Sequence, residues 1–176
     1  MTTEPPFALF VLDESIDTEY LNRSLTLAHD WDENARWDLW VATDSYEDLP
    51  KATGERQPPP EATKPPLPDS FKSPWNGKTV EDCAKWLQNM PNDSVVQREY
   101  FTVMNQFSKE DDTILTCRIR HDNGQVKVDY YPLPTAEISM YMITNRDSRF
   151  DEAGHSYQSR MKREGKPDRS QGGPFH

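Results

Sequence analysis

The stretch "DTILTCRIRHDNGQVKVDYYPLP", residues 112–134, limits what this chain can fold into more than any other. Asn123-Gly124 is the pair that a two-residue type I′ turn prefers, because both central positions need positive φ. A two-residue loop there pairs Asp122 with Gln125, His121 with Val126, Ile119 with Val128 and Cys117 with Tyr130. The last three, apolar pairs share one face, and Arg118 opposite Asp129 falls on the other, beside Arg120 opposite Lys127. A slip of one residue would turn every side chain to the wrong face, so turn chemistry and hydrophobic pattern demand the same register. The chain therefore contains an antiparallel hairpin with an apolar and a polar face.

The rest of the fold is built around that hairpin. "FALFVL", Phe7 to Leu12, is an uninterrupted apolar run and reads as a strand buried on both faces. Asp17 can cap a following helix carrying Tyr20, Leu21, Leu25 and Ala28 near helical spacing. "RWDLWVATDS" returns to strand character, with Trp37, Leu39 and Val41 alternating with Asp38 and Trp40. Strand, helix and strand in this length make a βαβ unit, for which a right-handed crossover is expected. "TVEDCAKWLQNMP" is a helix with Thr79 and Asp82 as a capping box, a buried stripe of Val80, Cys83, Ala84 and Leu87, and Pro91 as its stop. "REYFTVMNQF" reads as another strand. "TAEISMYMITN" fits either a short helix or an edge strand. A last helix carries Phe150, Ala153, Tyr157 and Met161, with Ser148 and Asp151 as its cap and Gly165 as its end. Gly154 within it costs about 1 kcal/mol relative to Ala.

Between the two foldable stretches, Pro58 to Pro74 holds seven prolines in seventeen residues. Proline serves neither a helix interior nor a central strand, so this is loop or polyproline-like chain. The first fifty residues cannot cover both faces of a "FALFVL" strand alone, and the second half brings a meander with one apolar face and its own helices. Each half supplies what the other lacks. The expectation is one α+β domain over residues 1–166, with an N-terminal βαβ unit, a proline-rich loop at 51–78, a C-terminal helix with an antiparallel meander, and a disordered tail at 167–176.

Composition narrows the function. Of 176 residues, 34% are apolar and 28% charged, and the net charge is −10. Residues 1–50 carry twelve acids against two bases, whereas residues 146–176 carry seven bases against five acids. An acidic body disfavours nucleic acid and anionic membrane, both of which are bound by neutralising phosphates. "FALFVL" lacks the basic flank and length of a signal peptide and is far shorter than the roughly 20 residues that span a bilayer. Cys83 and Cys117 form no C-x-x-C pair, so reduced buried thiols and a cytoplasmic location are expected.

Motifs of known chemistry fit poorly. Asp30, Asp32 and Asn34 alternate as in a calcium loop, but Ala35 stands where Gly is needed and Val41 where a bidentate Glu is needed. His29, His121, His155 and His176 share no ligand spacing, so no metal and no cofactor is expected. Cys117 and His121 fall on the hairpin's apolar face, where Cys acts as a small hydrophobe. The chain has no Gly-rich phosphate loop, G-x-S-x-G or H-E-x-x-H. Asp13 and Asp44 follow the two parallel strands at their C-terminal ends, where open sheets place ligand crevices, and could act as acid and base. Polar residues there are also ordinary turn formers. Glu14, Trp37 and Trp40 are the candidates for a ligand or partner surface.

"GKTVEDCAKWLQNMP", "YFTVMNQFSKEDDTILTCRIR" and "TNRDSRFDEA" together resemble a family of small uncharacterised proteins of fungi and bacteria. The likeness covers about the second half of the chain, and its motifs are structural, so it transfers no catalytic residue. The chain also resembles accessory proteins encoded in fungal polyketide clusters such as that for fusaric acid, which would imply support of secondary-metabolite synthesis. The leading expectation is a non-catalytic accessory or interaction protein whose partner is another protein or a small metabolite. One alternative is a cofactor-independent enzyme on a polyketide-like molecule, using Asp13 and Asp44 beside a Trp-lined pocket. Another is an immunity-type inhibitor of a basic toxin.

Overall fold

The computed structural model describes residues 4–52, 60–144 and 146–175. Pro58 and Pro59 of the proline run, and His176, lie outside them. Strand β1 (Phe7–Val11) is followed by α1 (Thr18–His29), β2 (Leu39–Val41), α2 (Val80–Gln88), β3 (Tyr100–Met104) and the short α3 (Ser108–Asp111). The long strands β4 (Thr113–Asp122) and β5 (Gln125–Pro134) come next, then α4 (Ile138–Thr144) and α5 (Phe150–Glu164). The five strands form one mixed sheet in the order β2-β1-β3-β4-β5, parallel among the first three and antiparallel thereafter. Because β1 sits between β2 and β3, it pairs with a strand from each side of the proline run. The run is therefore an excursion from a single α+β sheet.

All five residues of β1 are buried, as a strand covered on both faces requires. Phe7, Leu9 and Val11 face Leu21, Leu25 and Ala28 of α1, together with Ile138 and Met142 of α4 and Phe150 and Tyr157 of α5. Ala8 and Phe10 face the other layer, with Trp40, Phe101, Val103 and the α2 stripe Cys83, Ala84 and Leu87. The crossovers β1-α1-β2 and β2-α2-β3 run in opposite directions across the sheet, and their helices lie on opposite faces, so both have the same hand. Such a reversal creates a switch point between the C-terminal ends of β1 and β3.

The hairpin register is as read from the sequence, from Asp122 opposite Gln125 to Cys117 opposite Tyr130. Asn123 and Gly124 take φ values of 50° and 77°. Asp17 caps α1 by accepting from the Tyr20 amide, and Thr79 with Asp82 forms a complete capping box on α2. The segment at 138–144 resolves to a helix, because Ile138, Tyr141 and Met142 then meet the sheet together.

Four local expectations change. Strand β2 is three residues long and excludes Trp37, and all three are buried, since both layers extend over this edge. Ser148 makes no cap on α5: Arg149 holds the N-cap position with no side-chain bond. The polar face of the hairpin is covered away from the turn, where α5 and the chain beyond it leave Asp129 only 1% exposed, while Asp122, Gln125 and Lys127 near the turn stay exposed. Finally, residues 167–175 are packed rather than disordered. Gln171 exchanges both backbone hydrogen bonds with Tyr130 at 2.9 Å, and Phe175 is buried among Tyr131, Phe150 and Tyr157. Gly154 is the opening that admits Phe175: a Cβ there would stand 2.7 Å from the Phe175 ring and 2.9 Å from Tyr131.

Both rims of the sheet are closed by segments outside the main ladder. Ala62 and Thr63, returning from the proline excursion, donate to the carbonyls of Trp37 and Leu39, and the Thr63 hydroxyl accepts from the Val41 amide. On the opposite rim, Gln171 covers Tyr130, and the prolines at 132 and 134 bring no N–H to β5.

Candidate functional site

The strand ends that carry Asp13 and Asp44 are plugged. Ser73 donates to the Val11 carbonyl at 2.6 Å, Gly77 N to Leu12 at 3.0 Å, and Trp75 Nε1 to Thr43 at 3.2 Å. The Asp13 carboxylate accepts from the amide and hydroxyl of Ser15, closing a local turn. Glu14 and Asp44 are exposed. Nothing in this arrangement brings Asp13 and Asp44 onto a shared reactant. Trp37 stacks on His29 at 3.8 Å between ring centroids. Trp40 is buried and stacks with Trp86, which also meets Tyr46 at 4.5 Å and lies edge-on to Phe10 and Trp75. Trp37 packs partly buried against the α1 layer, and Trp40 packs in the α2 layer, its edge lining a shallow cavity with Asp48, Pro50 and Lys51. Asp32 accepts from the Asn34 amide in an Asx turn, and among the described residues no three His, Cys, Asp or Glu side chains cluster as a metal site.

Neither thiol is poised for nucleophilic work. Cys83 and Cys117 are fully buried, and burial pushes both pKa values up. The strongest charge cluster is also internal. Asp129 accepts from Arg118 at 3.0 Å, from Arg120 through both oxygens at 3.1 Å, and from the Gly173 amide at 3.3 Å. Burial alone would raise its pKa, but the two guanidinium groups and the amide together hold it below the usual carboxylate range. Arg118 also binds Asp151 of α5 and lies over the Phe150 ring, so this network fastens helix and tail to the sheet.

Concave surface is found elsewhere. Two adjoining cavities of about 600 and 650 Å³ run between β5 and α5, and both are lined by Pro132, Pro134, Tyr157 and Arg160. Arg149, Arg160 and Arg163 line the first together with Glu137 and Glu152; none of the three forms a salt bridge among the described residues, and Glu164 lies within electrostatic reach of Arg160 and Arg163. Positions 149, 153, 156, 160 and 163 fall within one narrow sector of the helix, so these arginines form a single row about 21 Å long. In the charge balance of residues 146–176 these arginines are only part of seven bases, with nothing there to single them out. Their i, i+11, i+14 spacing, which returns to one side of a helix, is the signal in the sequence that marks them.

A third cleft, of about 410 Å³, lies at the switch point. Leu12 beyond β1 and Asn105 to Phe107 beyond β3 form its floor, the first turn of α2 one side, and Asp168 to Gln171 the other. Gln171 holds that side in place, donating from Nε2 to Glu81 at 2.8 Å and to the Val128 carbonyl at 3.1 Å. The Arg169 guanidinium carbon lies 3.5 Å from the centre of the Phe107 ring.

No family model, curated protein or solved structure matches this chain. Among the described residues no helix is long and apolar enough to cross a membrane.

Proposed function

We propose that this chain is a non-catalytic interaction protein that binds an extended acidic segment of a partner protein along the groove between β5 and α5. The observation that carries this reading is the row of Arg149, Arg160 and Arg163, which forms no salt bridge among the described residues, on a molecule whose net charge is −10. Arginine presents a fixed fork of donors that suits carboxylates. The 21 Å row matches about six residues of extended chain. A groove open along its length suits a chain better than a small molecule, which needs most of its surface enclosed. Pro132, Leu133 and Pro134 supply the apolar floor. The resemblance to accessory proteins of polyketide clusters adds a setting for such binding, the support of secondary-metabolite synthesis.

The test is affinity capture from the producing cells, using the wild type and an R149E/R160E/R163E variant in parallel at low and high salt. The reading expects a partner that the wild type holds at low salt, and that both the charge reversal and high salt release. The same proteins on both baits, or none on either, would count against it.

A further inference from the structure

The switch-point cleft supports a second binding role, set apart from the arginine row of the α5 groove although Arg169 lines both the cleft and the second groove cavity. In open sheets with parallel strands, ligands settle where the strand order reverses, outside the carboxyl ends of the strands. Here that position lies between β1 and β3, and the fold leaves it as an open cleft of about 410 Å³, within the size range of small-molecule sites. The carboxyl ends of β1 and β2 are plugged by residues 73–77, so the cleft is the part of the crevice still reachable from solvent.

Its chemistry is specific in one respect. Phe107 covers one face of the Arg169 guanidinium, which fixes the plane of the fork. Arg169 anchors its backbone by donating to the Tyr157 hydroxyl at 2.8 Å, yet its guanidinium has no carboxylate partner among the described residues. A stacked guanidinium without an ion pair offers its N–H edge for a bidentate bond to a planar anion. The first turn of α2 does not compete for that anion, because Glu81 and Asp82 already answer the helix dipole and Thr79 satisfies the Asp82 amide. Glu81 and Asp168, both lining the cleft, disfavour a doubly charged ligand. Leu12, Val80 and Leu115 offer apolar surface next to the cation, and Tyr130 lines the same space with its hydroxyl unbonded among the described residues.

We propose that this cleft binds a small monocarboxylate with an apolar or aromatic body, Arg169 taking the carboxylate and Leu12, Val80 and Leu115 receiving the remainder. Part of the site's wall is the chain at 168–171, so binding and the docking of that segment stabilise one another.

The experiment is a 15N–1H NMR titration of the full chain with benzoate as probe and benzamide as its neutral isostere. Benzoate is expected to shift the amides of Val80, Glu81, Gln106, Phe107, Ser170 and Gln171, and benzamide to leave them unmoved. Arg169→Gln is expected to weaken benzoate binding about tenfold or more, the loss of a charge-assisted bond. Shifts centred on Arg149–Arg163, an equal response to benzamide, or unchanged affinity in R169Q would each overturn the proposal. Should R169Q free the tail, visible as collapsed dispersion of Gln171 and Phe175, Arg169→Lys decides. Lysine keeps the charge but loses the planar fork, so weaker binding supports the site and equal binding overturns it. Arg149, Arg160 and Arg163 do not line this cleft, so capture with the R149E/R160E/R163E variant reads the α5 groove separately from the benzoate titration.

Discussion

Two aspartates with opposite surroundings divide the pH response of this protein. Asp38, at the entrance to β2, accepts from the Ser139 hydroxyl at 2.9 Å and so ties β2 to α4, while its second oxygen is buried without a partner. Burial pushes its pKa from 3.8 up to about 6, against the Ser139 bond and the nearby His29. The folded state therefore holds this proton more tightly than the unfolded state does. Stability falls as pH rises through the window from 3.8 to about 6, and the penalty above it is on the order of 3 kcal/mol. Asp129 behaves oppositely: its lowered pKa means a contribution that is present above the ordinary carboxylate range and lost as pH falls below it. Urea unfolding of the wild type and Asp38→Asn between pH 4 and 7 separates the two. The asparagine variant should lose the decline on the neutral side, and Asp129→Asn should flatten the acid limb. A wild-type slope surviving in D38N would assign the titration to another group.

Among the elements, the hairpin and α5 show what a chain reveals about itself and what it hides. Gly124 holds φ at 77° in open space, so Gly124→Ala meets only backbone strain and should cost about 1 kcal/mol in a denaturant titration, with the register kept by the apolar pairs above it. That outcome is legible because turn, pattern and pairing all lie within residues 112–134. Gly154 is the contrary case. Helix propensity alone says that Gly154→Ala helps by about 1 kcal/mol. The new methyl would meet Phe175 and Tyr131 below 3 Å in a buried place, so the variant should instead lose about 1–3 kcal/mol. Nothing in the sequence could announce this, because Phe175 comes from a stretch without periodicity. The same holds for the switch-point cleft, where Arg169 finds Phe107 only once the tail has docked. The α5 arginines, by contrast, were open to reading from their spacing.

At the scale of the molecule, the sheet is sealed by chain that looked dispensable. The segment at 167–175 fills the α5 layer, pairs with β5 and caps Asp129, so Phe175→Ala should cost about 3 kcal/mol in thermal or denaturant unfolding. A loss below about 0.5 kcal/mol would mean that the ring adds little where it sits. The single-domain reading followed from each half being one-sided, and the structure bears it out by threading β1 between β2 and β3. That threading has a cost in time. Ala8 meets Thr102 across 94 residues of chain, an interval that takes a ribosome about 5–20 s to make. Until then an uncharged, strand-forming run, "FALFV", has emerged with one of its two neighbours unmade and its α2 face bare. Such a run is an aggregation hazard while it waits. The newborn chain is thus a natural client for chaperones that hold short apolar segments, even though the finished molecule buries that strand completely.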